Sequence, residues 1–137
     1  MSDKTIKLKV ITPVNVLFEG EAKSFIVKTR GEVGEFAVLA DHIPMTASVG
    51  IGTLVIDMPD GTEKRTSLFG GYCVVHNNSA VIIAEAGEKP EDIDFARAEE
   101  AKKRAEERLH DADSDHKRAE QALMRSIVRM ELHKWRK

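Results

Sequence analysis

Four arginines in the last third of the chain have the type and spacing needed to bind an anion. Arg97 and Arg104 are seven residues apart and Arg125 and Arg129 are four apart, so each pair would share one face of a helix. A guanidinium group suits phosphate oxygens because it can donate two parallel hydrogen bonds. The pattern is therefore compatible with a site for a nucleoside triphosphate, with a contact to an acidic patch on a partner protein, or with an ordinary solvated helix surface.

Neighbouring charges make the second pair more informative than the first. The column of Arg125, Arg129 and His133 has no acidic residue three or four positions away in the sequence. Like charges at that spacing repel by roughly 0.3 kcal/mol per pair unless an anion or an acidic surface faces them. The second pair is therefore the stronger indication of a binding function. The first pair has acidic neighbours at that spacing, namely Asp94, Glu100 and Glu107.

No recognisable catalytic constellation accompanies these arginines. The sequence contains no glycine-rich phosphate loop ending in Lys-Ser or Lys-Thr, no serine in a sharp glycine turn and no Cys or His cluster at metal-ligand spacing. The single cysteine, Cys73, lies between Tyr72 and Val74 and is interpreted as a small strand residue. His42 is interpreted as a loop residue bonded to backbone. We therefore expect a non-catalytic protein without a metal site.

The distribution of glycine and proline predicts two structural units. All nine glycines lie at or before Gly87 and all four prolines at or before Pro90, and neither type occurs in residues 91–137. That last segment carries twelve acidic and twelve basic residues and is rich in helix formers. We therefore predict a β unit over residues 1–87 and a helical unit over residues 88–137.

The β unit reads as many short strands separated by turn residues. Ile6, Leu8 and Val10 alternate with lysines in the first strand, and Pro59-Asp60-Gly61 and the segment 77–79 supply turns. This spacing predicts an antiparallel sandwich or flattened barrel. The other strands are predicted over residues 14–18, 24–29, 34–39, 45–49, 52–58, 64–69, 72–76 and 80–85.

The helical unit is predicted to form two helices of roughly 18 to 20 residues, with a break over residues 110–115. Asp92 is expected to cap the first helix, with Asp94 in its first turn, and Asp113, Ser114 or Asp115 can cap the second. The short connection implies an antiparallel hairpin.

Small residues mark the faces on which the two helices can meet. The first helix carries a stripe of Ala98, Ala101, Ala105 and Leu109, and the second carries a small stripe and a larger one. The small stripe can bury only a little apolar surface, so the hairpin is expected to be marginal by itself. A permanent helix pair and a conformational switch both remain open. The two stripes of the second helix are Ala119, Ala122 and Ser126, and Leu123, Ile127 and Met130.

Charge and hydropathy exclude several classes of partner. The formal charge is −2 and the pI is near 6.2, so no general attraction to nucleic acid or to an anionic membrane is expected. No apolar run approaches the roughly 20 residues that cross a bilayer. The chain enters a strand pattern soon after Met1, which predicts no signal peptide. Together with the lone cysteine, this favours a reducing, cytoplasm-like compartment.

Several segments together resemble the epsilon subunits of bacterial F-type ATP synthases. The most specific is Ile93 to Ala98, which matches the I/L-D-x-x-R-A motif of epsilon subunits that bind ATP. The resemblance covers nearly the whole chain. The other matching segments are Ile11-Thr12-Pro13, residues 34–39 followed by His42-Ile43-Pro44, Gly70-Gly71-Tyr72, residues 81–84 and the two-helix tail.

This resemblance implies a ten-stranded antiparallel β-sandwich followed by a two-helix C-terminal domain. The sandwich would contact the gamma stalk and the c ring, and the helices would either fold as a hairpin or extend toward the alpha/beta hexamer and suppress ATP hydrolysis. It also implies a peripheral location on the cytoplasmic face of the bacterial plasma membrane, reached only through the complex. The alternatives are an epsilon subunit with a purely structural tail and a free-standing sandwich adaptor that recruits an acidic partner.

The resemblance also assigns roles to particular residues. Glu35 and His42 would contact gamma or the c ring, and ATP would be a regulatory ligand with no visible need for magnesium. Arg118, Arg125 and Arg129 would contact an acidic segment of the beta subunit in the extended state. The implied ATP contacts are Glu88, Ile93, Asp94, Arg97, Ala98, Arg104, Arg125 and Arg129.

Two segments depart from the family pattern, and one residue lies beyond the matched region. Where relatives commonly read Glu-Leu-Gly and Pro-Gly-His, this chain has Glu35 to Ala37 and Ala40 to His42. Trp135 lies beyond the matched region and is expected to be a terminal apolar anchor.

Overall fold

The computed structural model describes residues 4–28 and 34–135, which form two compact units, Met1–Lys89 and Pro90–Lys137. The predicted strand end at Thr29 lies outside the described residues. The first unit contains strands β1 (Ile6–Ile11), β2 (Val16–Ala22), β3 (Ser24–Lys28), β4 (Glu35–Leu39), β5 (Met45–Asp57), β6 (Glu63–His76), β7 (Ser79–Ala84) and β8 (Gly87–Glu88). The second contains α1 (Phe95–Leu109), α2 (His116–Glu131) and 3₁₀ helices over Pro90–Asp92 and His133–Trp135.

The strands form one continuous sheet that folds over itself. Their order is β2-β1-β7-β6-β5-β3-β4, and β8 also pairs with β6. Leu17 on β2 and Val38 on β4 come from opposite ends of this order, yet both belong to the same buried cluster. The sheet must therefore curl until its two ends face each other across one apolar core.

Alternation of apolar and polar residues accounts for the direction in which each strand faces. On β1, Ile6, Leu8 and Val10 are buried while Lys7 and Lys9 are exposed. Successive residues of a strand point to opposite faces, so this pattern gives β1 one core face and one solvent face. The predicted sandwich is confirmed.

The expected ten strands and purely antiparallel pairing are both wrong for the described residues. Eight strands are present, and β1 pairs with β7 in parallel, from Lys7 opposite Ser79 to Ile11 opposite Ile83. The predicted strands 45–49 and 52–58 are parts of the single strand β5, and 64–69 and 72–76 are parts of β6.

Gly70 and Gly71 explain why the continuous β5–β6 pair was expected to be broken into shorter strands. Gly70 and Gly71 have φ angles of 89° and 130°, which L side chains rarely adopt. The pairing register is nevertheless the same on both sides, with Val49 opposite Gly71 and Ile51 opposite Phe69. The glycines therefore bend the β5–β6 ribbon without ending it, and each strand can serve both layers of the sandwich.

The predicted turns are confirmed. Asn77 and Asn78 have φ angles of 50° and 55°, the conformation required of both central residues in a type I′ hairpin. They connect β6 to β7. Gly61 has a φ of 88° and its N–H donates to the Met58 carbonyl in the β5–β6 turn.

The helical unit follows the prediction in outline and differs at its caps. The break over residues 110–115 is confirmed, but α1 and α2 have 15 and 16 residues because their flanking segments form 3₁₀ turns. The expected cap at Asp92 is wrong, since Asp92 ends the first 3₁₀ helix. Asp94 caps α1 by accepting the Arg97 N–H, and Asp115 caps α2.

Gly71→Ala should destabilise the sandwich strongly, because a Cβ there would lie 2.1 Å from the Ile83 carbonyl oxygen. Both the positive φ and this clash with backbone oppose the substitution, so we expect a loss of about 3 kcal/mol or more in unfolding free energy. Gly61→Ala is the matched control, because it has a positive φ but no atom within 4 Å, and should cost about 1–2 kcal/mol. Urea denaturation followed by circular dichroism measures both, and equal losses would contradict the bend.

Candidate functional site

Small side chains allow the two helices of the second unit to pack closely. Ala98 and Ala105 of α1 and Ala119 and Ser126 of α2 are all buried. The Ser126 hydroxyl donates to the Ala122 carbonyl at 3.0 Å, so its burial leaves no unsatisfied donor. The hairpin is closed through the small stripes that the sequence predicts.

An apolar cluster closes the open end of the hairpin, where α1 begins and α2 ends. Ile93, Phe95 and Leu132 are buried there, with Met130 and Trp135 packed against them. Trp135 thus acts as the terminal apolar anchor that the sequence suggests. Sequence periodicity did not reveal the cluster as a whole, because Ile93, Leu132 and Trp135 lie just outside the two α-helices.

A groove of about 550 Å³ runs beside the closed helix pair. Four alanines and four arginines line it, with Arg104 and Arg108 from α1 and Arg118 and Arg125 from α2. This volume falls in the range of small-molecule sites. The remaining lining residues are Ala101, Ala105, Ser114, Asp115, Ala119 and Ala122.

The charge of the groove favours an anion. Four guanidinium groups line it and Asp115 is its one lining carboxylate. Asp115 already accepts the N–H of Arg118 as the cap of α2, at 3.2 Å. An anion placed in the groove would therefore meet an excess of positive charge and forked N–H donors.

The groove brings together part of the predicted arginine set. Arg104 and Arg125 both line it, whereas Arg97 and Arg129 do not and lie nearer the open end of the hairpin. The resemblance assigns Arg118 only an inhibitory contact with the beta subunit, so its place in the groove was not predicted. Arg108 was missed, although its spacing of four from Arg104 places both on one helix face and could have indicated it.

Three motif residues have structural positions in the helical unit, and Glu88 lies in the first unit. Ile93 belongs to the apolar cluster, Asp94 caps α1 through the Arg97 N–H at 3.1 Å, and Ala98 is buried in the helix contact. Glu88 lies in β8 of the first unit, opposite Ser67 of β6. The motif therefore builds the start of α1, whatever else it binds.

Several hydrogen bonds and an ion pair contact the loop that carries His42. The His42 Nδ1 lies 2.7 Å from the Ile43 carbonyl oxygen, the backbone bond that the sequence predicts. Asp41 has a φ of 62°, a conformation that aspartate tolerates. Its carboxylate binds Lys4 at 2.9 Å, and its N–H donates to the Asn78 side chain at 2.8 Å. Glu35 is exposed at the start of β4.

The sequence also makes predictions about metal-ligand clusters, membrane-spanning helices and the cysteine. In residues 4–28 and 34–135, no group of three or more His, Cys, Asp or Glu could hold a metal ion, and no helix has the length and hydropathy to cross a membrane. Cys73 is buried in β6, and burial raises its pKa to about 11. Its thiol is therefore protonated at neutral pH and a poor nucleophile.

The chain is thus a two-unit α+β protein, with a curled β-sandwich followed by a helical hairpin that carries a cationic groove. Residues 5–90 match the family model described as the beta-sandwich domain of the ATP synthase delta/epsilon chain, and residues 91–134 match its long alpha-helix domain. Together the two models cover nearly the whole chain.

Two similar proteins are both named ATP synthase epsilon chain, and each matches almost the whole of this chain. The chain is 41% identical over 130 residues to the ATP synthase epsilon chain of Shouchella clausii, covering 95% of this chain and 96% of the relative. It is 45% identical over 130 residues to that of Clostridium novyi, covering 94% and 98%. The chain therefore belongs to the family of ATP synthase epsilon chains.

A solved structure supports the fold. A chain in the Euglena gracilis mitochondrial ATP synthase, OSCP/F1/c-ring assembly, superposes with a TM-score of 0.80 at 20% identity, covering 93% of this chain and 79% of that chain. At that identity the likeness concerns the fold.

Leu132→Ala should open the end of the hairpin, since Leu132 is 0% exposed at the centre of the apolar cluster. Losing a fully buried leucine side chain costs about 2–5 kcal/mol, enough to disrupt a contact otherwise made through alanines. Trp135 is the single tryptophan and packs on this cluster, so its fluorescence should shift to longer wavelength.

Met124→Ala is the control for this measurement, because Met124 lies on α2 with 49% of its surface exposed. The Trp135 emission spectrum of the Met124→Ala variant should match that of the unsubstituted chain. An unshifted spectrum in the Leu132 variant would show that the cluster does not hold the hairpin closed.

Proposed function

We propose that this chain is the rotor subunit that couples the gamma stalk to the c ring of an F-type ATP synthase and suppresses ATP hydrolysis through its helical unit. Family membership supports this assignment over a free-standing adaptor. The similar Euglena chain comes from an F1/c-ring assembly, and a Tetrahymena thermophila chain with a TM-score of 0.55 comes from a central stalk and c-ring. A relative from Acetobacterium woodii is named as sodium ion specific, so the coupling ion in this proposal is a proton or sodium.

In this proposal the first unit makes the stalk and ring contacts. Glu35 and His42 are the assigned contact residues, and next to His42 the side chain of Asp41 binds Lys4 and its N–H donates to the Asn78 side chain. The subunit itself is non-catalytic. It reaches the cytoplasmic face of the plasma membrane through the complex, as a peripheral component.

The groove of four arginines carries the regulatory part of the proposal. Each helix contributes two of the four guanidinium groups, so the full set exists only while the hairpin is closed. A ligand that binds one state shifts the equilibrium by its differential affinity for that state. ATP binding to the groove would therefore stabilise the closed hairpin. Magnesium is not part of the proposal, because the lining carboxylate, Asp115, already caps α2.

The extended state uses the same arginines for a different purpose. Arg118 and Arg125 line the groove when the hairpin is closed, and with Arg129 they would face an acidic segment of the beta subunit when the helices extend. One guanidinium group cannot serve both contacts at once. Nucleotide and the alpha/beta hexamer would therefore compete for α2, which makes the tail a switch.

Arg104→Ala and Arg125→Ala should each weaken ATP binding to the isolated full-length chain by about 10- to 100-fold. A hydrogen bond to a charged group contributes roughly 1.5–3 kcal/mol, and each variant removes one such donor from the groove. Arg129→Ala and Arg97→Ala test the contacts assigned by the resemblance. Calorimetric titration with ATP measures all four.

Two controls separate nucleotide binding from a purely structural tail. Lys117→Ala removes one positive charge from α2 outside the groove and should leave the affinity nearly unchanged. Asp94→Asn keeps a good helix cap but removes the carboxylate. Asp94→Ala removes both the helix cap and the carboxylate. No ATP binding by the unsubstituted chain, or equal binding by the arginine variants, would leave the structural tail as the better description.

Charge reversal at Arg118, Arg125 and Arg129 together should relieve the inhibition of ATP hydrolysis in the assembled enzyme at low ATP concentration. The reversed charges would repel an acidic segment of beta and so disfavour the extended state. Steady-state hydrolysis by the reconstituted complex measures this effect. Lys117→Glu is the control on the same helix, and an unchanged rate in the triple variant would argue against an inhibitory contact through α2.

A further inference from the structure

A second stripe of apolar side chains lies on α2, next to the face that contacts α1. Met124 is 49% exposed and Ile127 is 37% exposed, and Leu123 and Met130 are half-buried. With 3.6 residues per turn, these four positions share one side of the helix. We call Leu123, Met124, Ile127 and Met130 the outer stripe.

The outer stripe is not used to close the hairpin. The contact between the two helices is made through small buried residues, among them Ala119 and Ser126. Large apolar side chains that remain in water gain free energy when another surface covers them, and a contiguous exposed group of them marks an interaction site more often than scattered ones do.

Two charged residues mark the ends of the outer stripe. Glu120 lies seven residues before Ile127 and Lys134 lies seven residues after it. Seven residues are about two helical turns, so both lie on the same side as Ile127. Both are exposed, and in the part of the chain that the structure describes neither forms an ion pair.

The outer stripe is symmetric in sequence about Ile127. Met124 and Met130 are three residues before and after it, and the two ends carry opposite charges. If two copies of α2 cross at Ile127 in antiparallel directions, each position faces the partner's position at the same distance on the other side. Met124 then faces the partner's Met130, and Glu120 faces the partner's Lys134.

We propose that the outer stripe is a surface on which two copies of this chain associate, with their α2 helices antiparallel about Ile127. The complementary charges at the two ends favour this orientation, because a parallel pair would place Glu120 opposite the partner's Glu120. The inference concerns the chain outside a larger assembly, and it does not rest on the proposed function.

The proposed contact leaves the cationic groove accessible. Arg125 and Arg129 are two residues before and after Ile127, about 200° around the helix from it, so they lie on roughly the opposite side of α2. Association and anion binding should therefore be independent. The contact is small and belongs to the class of weak, reversible interfaces.

Sedimentation equilibrium of the full-length chain at concentrations up to about 1 mM should show a monomer in exchange with a dimer. Ile127→Asp places two carboxylates against each other at the centre of the contact, so association should weaken by about 10-fold or more. Val14→Asp is the matched control, because Val14 is an 89% exposed apolar residue of the first unit. It should associate like the unsubstituted chain, and circular dichroism checks that both variants keep their helices.

Exchange of the terminal charges tests the orientation of the helices. Glu120→Lys or Lys134→Glu alone places like charges opposite each other at both ends of the contact, and each should weaken association about threefold or more. The double variant, with both substitutions in one chain, restores opposite charges in an antiparallel pair and should recover the original association.

A disulfide gives a readout that does not depend on affinity. Ile127→Cys places a thiol opposite its own copy, so mild oxidation should link two chains covalently. Gln121→Cys is the control, because Gln121 is exposed on α2 but lies about a third of a turn away from Ile127. The native thiol of Cys73 is buried and should not take part.

The inference would be overturned by a chain that stays monomeric throughout the concentration series. It would equally be overturned if Ile127→Asp associated as well as Val14→Asp, if the double charge variant stayed as weak as the single ones, or if both cysteine variants cross-linked equally. A monomeric chain that still binds ATP would remove the dimer and leave the proposed function intact.

Discussion

The close packing of α1 against α2 through small side chains is the constraint on which the helical unit of this protein depends. Alanines permit the helices to approach, but they bury little apolar surface and so contribute little free energy. The same approach brings four guanidinium groups to one groove. The closed hairpin is therefore a balance between modest packing, an apolar cluster at its open end and the mutual repulsion of its cations.

The two units differ in how much buried apolar packing stabilises them. In the first, a single core draws on seven of the eight strands, and bending of β5 and β6 at glycine lets one sheet form both layers. In the second, the buried residues are few and mostly small. The second unit should therefore open at a lower cost in free energy than the first.

Sequence patterns predicted the features that depend on local periodicity. Alternation located most strands, and the absence of glycine and proline located the helices. The long strands were missed because Gly70 and Gly71 signal a turn locally, while pairing on both sides keeps the ribbon continuous. The apolar cluster around Leu132 was missed because tertiary contacts, not spacing along the chain, bring its residues together.

The parallel pairing of β1 with β7 has a consequence for how the chain is made. β1 lies between β2 and β7 in the sheet, so the first strand synthesised must wait for residues 79–84 before its second neighbour exists. Contacts this distant in sequence make folding slow relative to helical proteins. During synthesis from the N-terminus, the sandwich can therefore close only after residues 79–84 have emerged, and the helical unit follows it along the chain.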